Sequence, residues 1–281
     1  MLELILLLVT VFFIIVYYFL LPSQTNKKRE EITKDSFPSG WIFFLKKNVY
    51  LYQKLPEEFK AQLHSYIQIF IAEKEFVGKE GLDVTVEMQL AIASQACVLL
   101  IEKNPNPLQP KRSNYFPYLK YIYIYPERIA HKNKSNALEY NVLLGQSSVG
   151  YKSGKDGTIL LSWADVLREA KYHKNGNNVV LHEFAHQLDQ EFGSATGTPR
   201  LDNLEKTLTW QTIFRDEYKK LCQAIKNGQS TIIDSYGTQN PVEFFAVVTE
   251  AFFLKPKLMA VYHSSLYEQL KQYYQLDPAT W

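Results

Sequence analysis

Five consecutive residues, His182-Glu183-Phe184-Ala185-His186, place two imidazoles and a carboxylate within little more than one helical turn. On an α-helix, positions i and i+4 lie on one face, one turn apart. Two ring nitrogens placed there can hold one zinc ion from the same side, and the glutamate beside the first histidine then faces a water on that ion. Two ligands and a general base in one turn form the H-E-x-x-H arrangement, whose chemistry is hydrolysis by a zinc-activated water. The flanks suit a real helix. Asn177-Asn178 can cap its start. Val179, Val180, Leu181, Phe184, Ala185 and Leu188 make its remaining faces apolar. Imidazoles inside so apolar a stretch need partners.

A catalytic zinc takes three protein ligands and keeps a fourth position for water. For the third, the sequence offers Asp189, Glu191, His173, Glu243, Glu250 and His263. Asp189 follows His186 by three residues and is near enough to orient a ligand histidine through its free ring N–H, but as a ligand it would compete with His186 for space. Nothing beside Glu191 or His173 marks a site. Asn240-Pro241-Val242-Glu243 reads as a helix start, with Asn as N-cap and Pro at the first helical position. The helix runs on almost wholly apolar to Phe253, so a carboxylate within it must be paired or metal-bound. That favours Glu243. Glu250, two turns further along the same face, is its rival, or an acceptor for a ligand histidine.

The stretches Ser235–Ala246 and His182–Asp189 resemble the Mlc titration factor A family of zinc peptidases and are more distantly similar to the catalytic domain of anthrax lethal factor. The resemblance extends to Gly157–Trp163, similar to the family's strand before the active-site helix. It reaches weakly to Glu73–Phe76 and Ala96–Leu100, and spans roughly residues 37–281. It implies His182, His186 and Glu243 as ligands of one Zn²⁺, Glu183 as general base, and Tyr236, seven residues before Glu243, facing the metal as a donor to the developing oxyanion. Asp189 and Glu250 are then supporting residues around the ligands. One departure stands out: thermolysin-type enzymes carry an Asp four residues after the third ligand, where this chain has Val247. The implied enzyme is a zinc metallopeptidase of the gluzincin kind acting on a peptide or protein, with endopeptidase and aminopeptidase action both open. The resemblance also implies an alternative: a regulatory protein that sequesters a partner such as a transcriptional repressor, with a zinc site not needed for that role.

Around these residues the chain reads as one α+β, zincin-like domain, mostly helical with a small mixed sheet. Pro56 opens a helix striped by Phe59, Leu63, Tyr66, Ile67, Phe70 and Ile71. Met88–Ile101 is apolar enough for a buried helix, Asn104–Pro117 is a loop, and Tyr121–Tyr125 is β-prone. Leu143–Trp163 holds turn residues and then a strand, which could be interior or an edge for an extended substrate. Further helices are expected around Thr207–Ile225 and Ser264–Tyr274. Cys97 and Cys222, in apolar-patterned segments, read as free thiols.

The N-terminus carries a separate expectation. Leu4–Leu21 is 18 residues without a charge, about 27 Å as a helix and enough to span a bilayer core. Pro22 then stops the helix, and Lys27-Lys28-Arg29 come after it. This predicts an uncleaved transmembrane helix at 1–22, a linker at 23–36, and a catalytic domain at 37–281 in the cytoplasm of a single-pass membrane protein. With 31 Lys and Arg against 29 Asp and Glu, the chain's net charge of +2 gives no reason to expect nucleic acid.

Overall fold

A computed structural model describes residues 2–127, 129–132, 140–143, 145–148 and 156–281. Its first helix, α1, runs Leu2–Ile32 in one piece. The Pro22 stop and the linker beyond it are therefore not seen; residues 23–32 are its last turns. The helix that holds the apolar N-terminal residues is also the helix that docks on the domain. Near its end, Arg29 is buried. Its guanidinium donates to both carboxylate oxygens of Glu73, at 2.6 and 2.9 Å, and to Asn114 Oδ1 and the Leu108 carbonyl. It also lies over the Tyr115 ring.

Among the described residues no helix is long and apolar enough to cross a membrane. The expected transmembrane helix at residues 1–22, and the single-pass membrane location with it, are corrected accordingly. The apolar run is one part of a longer helix whose last turns carry Lys27, Lys28, Arg29, Glu30 and Glu31.

Next in the chain are helices α2 (Ser39–Asn48), α3 (Tyr50–Lys54) and α4 (Glu57–Glu73). The apolar stripe after Pro56 explains α4: Leu63, Tyr66, Ile67 and Phe70 are fully buried. Helix α5 (Val86–Val98) is buried on every side from Leu90 onward and accordingly central, touching α2, α3, α4 and two helices further along the chain.

The sheet is small and mixed. Strands β1 (Glu75–Gly78), β2 (Leu119–Tyr125) and β6 (Gly157–Ser162) are parallel. Strand β5 (Gly145–Ser148) pairs antiparallel with β6, giving the order β1-β2-β6-β5. Strands β3 (Ile129–Lys132) and β4 (Tyr140–Leu143) form a separate antiparallel pair. Of the two placements the sequence left open for this strand, the interior one is found: β6 lies between β2 and β5. The turn residues expected ahead of β6 lie partly outside the described residues, at 144 and 149–155.

Helices α6 (Trp163–Lys171), α7 (Val179–Gln190), α8 (Leu204–Lys226), α9 (Pro241–Leu254), α10 (Pro256–Tyr262) and α11 (Ser264–Tyr274) complete the domain. Phe184 of α7 packs between Phe70 and Phe116. Phe244 and Phe245 of α9 pack on Phe214, and Phe245 also meets Trp210. These aromatic contacts hold α7 and α9 against opposite parts of one core, so that their remaining surfaces face each other. Cys97 and Cys222 are free.

Candidate metal centre

Helix α7 is fixed at its N-terminus by buried acceptors. The first N–H groups of a helix lack intrahelical partners and favour negative charge. Asn178, the N-cap, accepts from Leu181 N–H through its side chain at 2.9 Å. Asn178 N–H donates to Glu250 Oε2, and Val179 N–H donates to Glu169 Oε2 at 2.8 Å. The Asn178 amide in turn donates to Gln95 Oε1 of α5. Helix α9 starts as its sequence predicts, with Asn240 Oδ1 accepting from Val242 and Glu243 N–H.

The two helices bring three ligand atoms together. His182 Nε2 and Glu243 Oε2 are 3.0 Å apart, His186 Nε2 and the same oxygen 3.3 Å, and the two Nε2 atoms 3.2 Å. Four ligands set tetrahedrally at zinc distances of about 2.0–2.2 Å would be separated by about 3.3–3.6 Å. The triangle matches that within a few tenths of an ångström. His182, His186 and Glu243 are the group among the described residues able to hold a metal ion.

Charge points the same way. Three carboxylates, from Glu183, Glu243 and Glu250, surround two imidazoles in a mostly buried pocket. Burial alone would lower the pKa of His182, but its bonds to Glu243 and Glu250 override this and raise it well above the ordinary value. Burial raises Glu243 and the two histidines outweigh it, holding the carboxyl at about 2. The cluster attracts positive charge where a cation would sit.

The remaining predicted residues fall into distinct places. Glu183 is buried, and its Oε2 has no hydrogen-bond partner. Burial, opposed by the two histidines and reinforced by the other carboxylates, pushes it up to about 7. Glu250 is not within the triangle: its Oε1 meets His182 Nδ1 at 2.8 Å. With Nδ1–H donated there, His182 presents the Nε2 lone pair to the triangle. Val247, one turn after Glu243, is apolar for a structural reason. It packs on Gly237, where an added Cβ would lie 2.6 Å from its Cγ2, and so supports the 3-10 turn Ser235–Thr238 that carries Tyr236. Orientation of His182 comes instead from Glu250, one turn further on.

The Tyr236 ring stands 5.8 Å from that of His182. Partial burial, with the Glu243 and Glu183 carboxylates, raises its phenol pKa, so the hydroxyl keeps its proton.

Asp189 does not hydrogen-bond a histidine. Its Oδ2 accepts from Thr196 and Gly197 N–H at 2.9 and 2.7 Å, while its Oδ1 and His186 Nδ1 are both buried without a partner. Gly197 has φ +74°, and a Cβ there would lie 2.3 Å from the Pro241 carbonyl oxygen. Asp189 therefore ties α7, through the glycine, to the first turn of α9. Among the other candidates, His173 stacks on Tyr50, His263 bonds Glu217 at 2.6 Å, and burial pushes Glu191 up to about 7. None joins the cluster.

Three positioning residues carry no clear mark in the sequence. Glu169 lies in an amphipathic helix where one carboxylate resembles any other. Gln95 has no local signal at all. Gly197 sits in a loop with two other glycine or proline positions nearby, and only its left-handed backbone and the closeness of Pro241 distinguish it.

Comparison with known proteins fits this geometry. A metallopeptidase family accounts for nearly the whole chain: residues 23–275 match the glucose-regulated metallo-peptidase M90 family, and the protein belongs to it. It is 34% identical over 253 residues to an uncharacterized protein of Synechocystis sp., covering 89% of each chain. It is 27% identical over 230 residues to Mlc titration factor A of Escherichia coli O7:K1, covering 80% of this chain and 82% of that protein. The corresponding protein of Shigella flexneri serotype 5b is 26% identical over the same length. The family resemblance read from the motifs is thereby confirmed.

Proposed function

We propose that the protein is a zinc-dependent peptidase. His182, His186 and Glu243 would hold the metal, and Glu183 would act as general base. The observation carrying this reading is the triangle of two Nε2 atoms and one carboxylate oxygen, at near-tetrahedral spacing, beside a buried glutamate with a free oxygen. A zinc ion there supplies Lewis acidity toward water and toward a scissile carbonyl. Glu183 accepts a proton as water attacks the peptide carbonyl and delivers it to the departing amine as the C–N bond breaks. Tyr236 O–H donates to the oxyanion that develops on the carbonyl oxygen. Glu250 keeps His182 in the tautomer that leaves Nε2 free, and Asp189 keeps the two ligand helices in register.

The test is Glu183→Gln, read by metal content and by cleavage of a peptide library. Bound zinc should stay at one per chain while cleavage falls to background. Full cleavage by the variant would refute the assignment. A second reading takes its support from the relatives' name, Mlc titration factor A: sequestration of a regulatory protein partner without hydrolysis. A partner-dependent effect that survives Glu183→Gln would belong to that role.

A further inference from the structure

The C-terminal end of α9 opens on a second feature. Glu243 and Leu254 are 11 residues apart on this helix, so the cavity there lies about 16 Å along the axis from the metal ligand. Its volume is about 330 Å³, within the range of small-molecule sites. Four lysines, Lys54, Lys174, Lys255 and Lys257, line it together with His173, and no Asp or Glu side chain does. In a chain whose acids and bases nearly balance, four lysines with no Asp or Glu side chain among them are segregated charge. Among the described residues the only side-chain hydrogen bond donated by these lysines is Lys255 Nζ to the Ile232 carbonyl, at 3.3 Å. That contact satisfies a donor without neutralising a charge.

The walls are partly aromatic. Tyr50 and His173 stack with centroids 3.5 Å apart at 8°, and Trp281 and Phe253 lie tilted at 44° with centroids 6.4 Å apart. Gly176, at φ +81°, lies so close to Lys255 that an added Cβ would meet the lysine Cε at 2.2 Å. Lys54, Lys174 and Lys257 are exposed and line a concavity whose other walls are largely apolar, where like charges repel and a dianion would relieve the repulsion.

We infer that this cavity binds a small organic dianion, a phosphate monoester or a dicarboxylate on an aromatic or apolar body. Its headgroup sits among Lys54, Lys174 and Lys257, and its body lies against Tyr50 and Trp281. The test titrates the full chain with phenyl phosphate, phthalate, inorganic phosphate and phenol by calorimetry at constant ionic strength. Phenyl phosphate or phthalate should bind once per chain, at least about 10-fold tighter than inorganic phosphate or phenol. The better of the two identifies the headgroup. Lys174→Gln with Lys257→Gln should weaken it at least about 10-fold, whereas Lys206→Gln, on a remote surface, should leave it unchanged. Trp281→Leu should remove the advantage over inorganic phosphate while inorganic phosphate itself still binds. Equal weak binding of all four probes, or binding indifferent to the paired lysine substitutions at unchanged Tm, would overturn the assignment.

Discussion

Replacing Glu250 by glutamine tests how the metal centre is built. Two N–H donors converge on the two oxygens of this carboxylate, one from Asn178 and one from His182 Nδ1, at a residue only 5% exposed. Glutamine preserves the shape but offers one acceptor and one NH₂ group. If the amide oxygen keeps Asn178, the NH₂ faces Nδ1. His182 must then leave a donor unpaired, at about 1–3 kcal/mol, or shift its proton to Nε2. The second course places an N–H in the triangle where a lone pair is needed. Either way metal affinity should fall about 10- to 100-fold, equivalent to about 1.4–2.8 kcal/mol. The assay is competition for zinc with a fluorescent chelator, wild type against Glu250→Gln, with the metal-free Tm measured alongside. An affinity within twofold of wild type would show that the carboxylate does not set the tautomer of His182, and that another group orients the ring.

Other perturbations probe the surrounding structure. Gly197→Ala should cost at least about 2 kcal/mol, from the left-handed backbone and the approach of Pro241, seen as a Tm lower by about 4–8 °C; an unchanged Tm would contradict the close packing. Tyr236→Phe should lower kcat by about 100-fold with KM little altered, and equal kcat in steady-state assays would remove Tyr236 from the chemistry. Glu217 is held below its ordinary carboxyl pKa by His263, against burial, with help from Lys220. A depressed folded pKa stabilises above the unfolded pKa, and this contribution disappears as pH falls through the folded one. Tm should therefore drop on acidification below about pH 4.5, and less steeply in Glu217→Gln. Added zinc should raise the Tm of metal-free protein in proportion to the logarithm of its concentration, and scanning calorimetry showing no rise would argue against the site.

Much of this architecture could be read from the chain because its signals are local. Asn178 and Asn240 cap helices where their spacing to apolar runs says they should. The stripe after Pro56 buries as a stripe. His182, His186 and Glu243 meet because two short helices, each legible alone, are largely apolar and buried and turn their few polar side chains toward each other. The features that could not be read depend on chain-distant neighbours. Asp189 looks like a partner for a histidine, since three residues of helix separate it from His186, yet two loop N–H groups claim one of its oxygens. The strand at Gly157–Ser162 gives no hint that β5 covers it. The N-terminal run misleads because an apolar window carries no information about the residues beyond its end. Its helix does not stop at the proline but carries on until Arg29 reaches the domain.

The burial of Arg29 has a consequence for where the folding unit begins. The guanidinium fills a socket made by Glu73, Leu108, Asn114 and Tyr115, which loses its plug if the chain is cut after residue 32. A chain trimmed to residue 23, where the family match starts, would keep it. The boundary relevant to cooperative unfolding thus falls inside α1, within the polar stretch that reads as a linker and ahead of Arg29, and shortened variants of this protein should be soundest when they respect it.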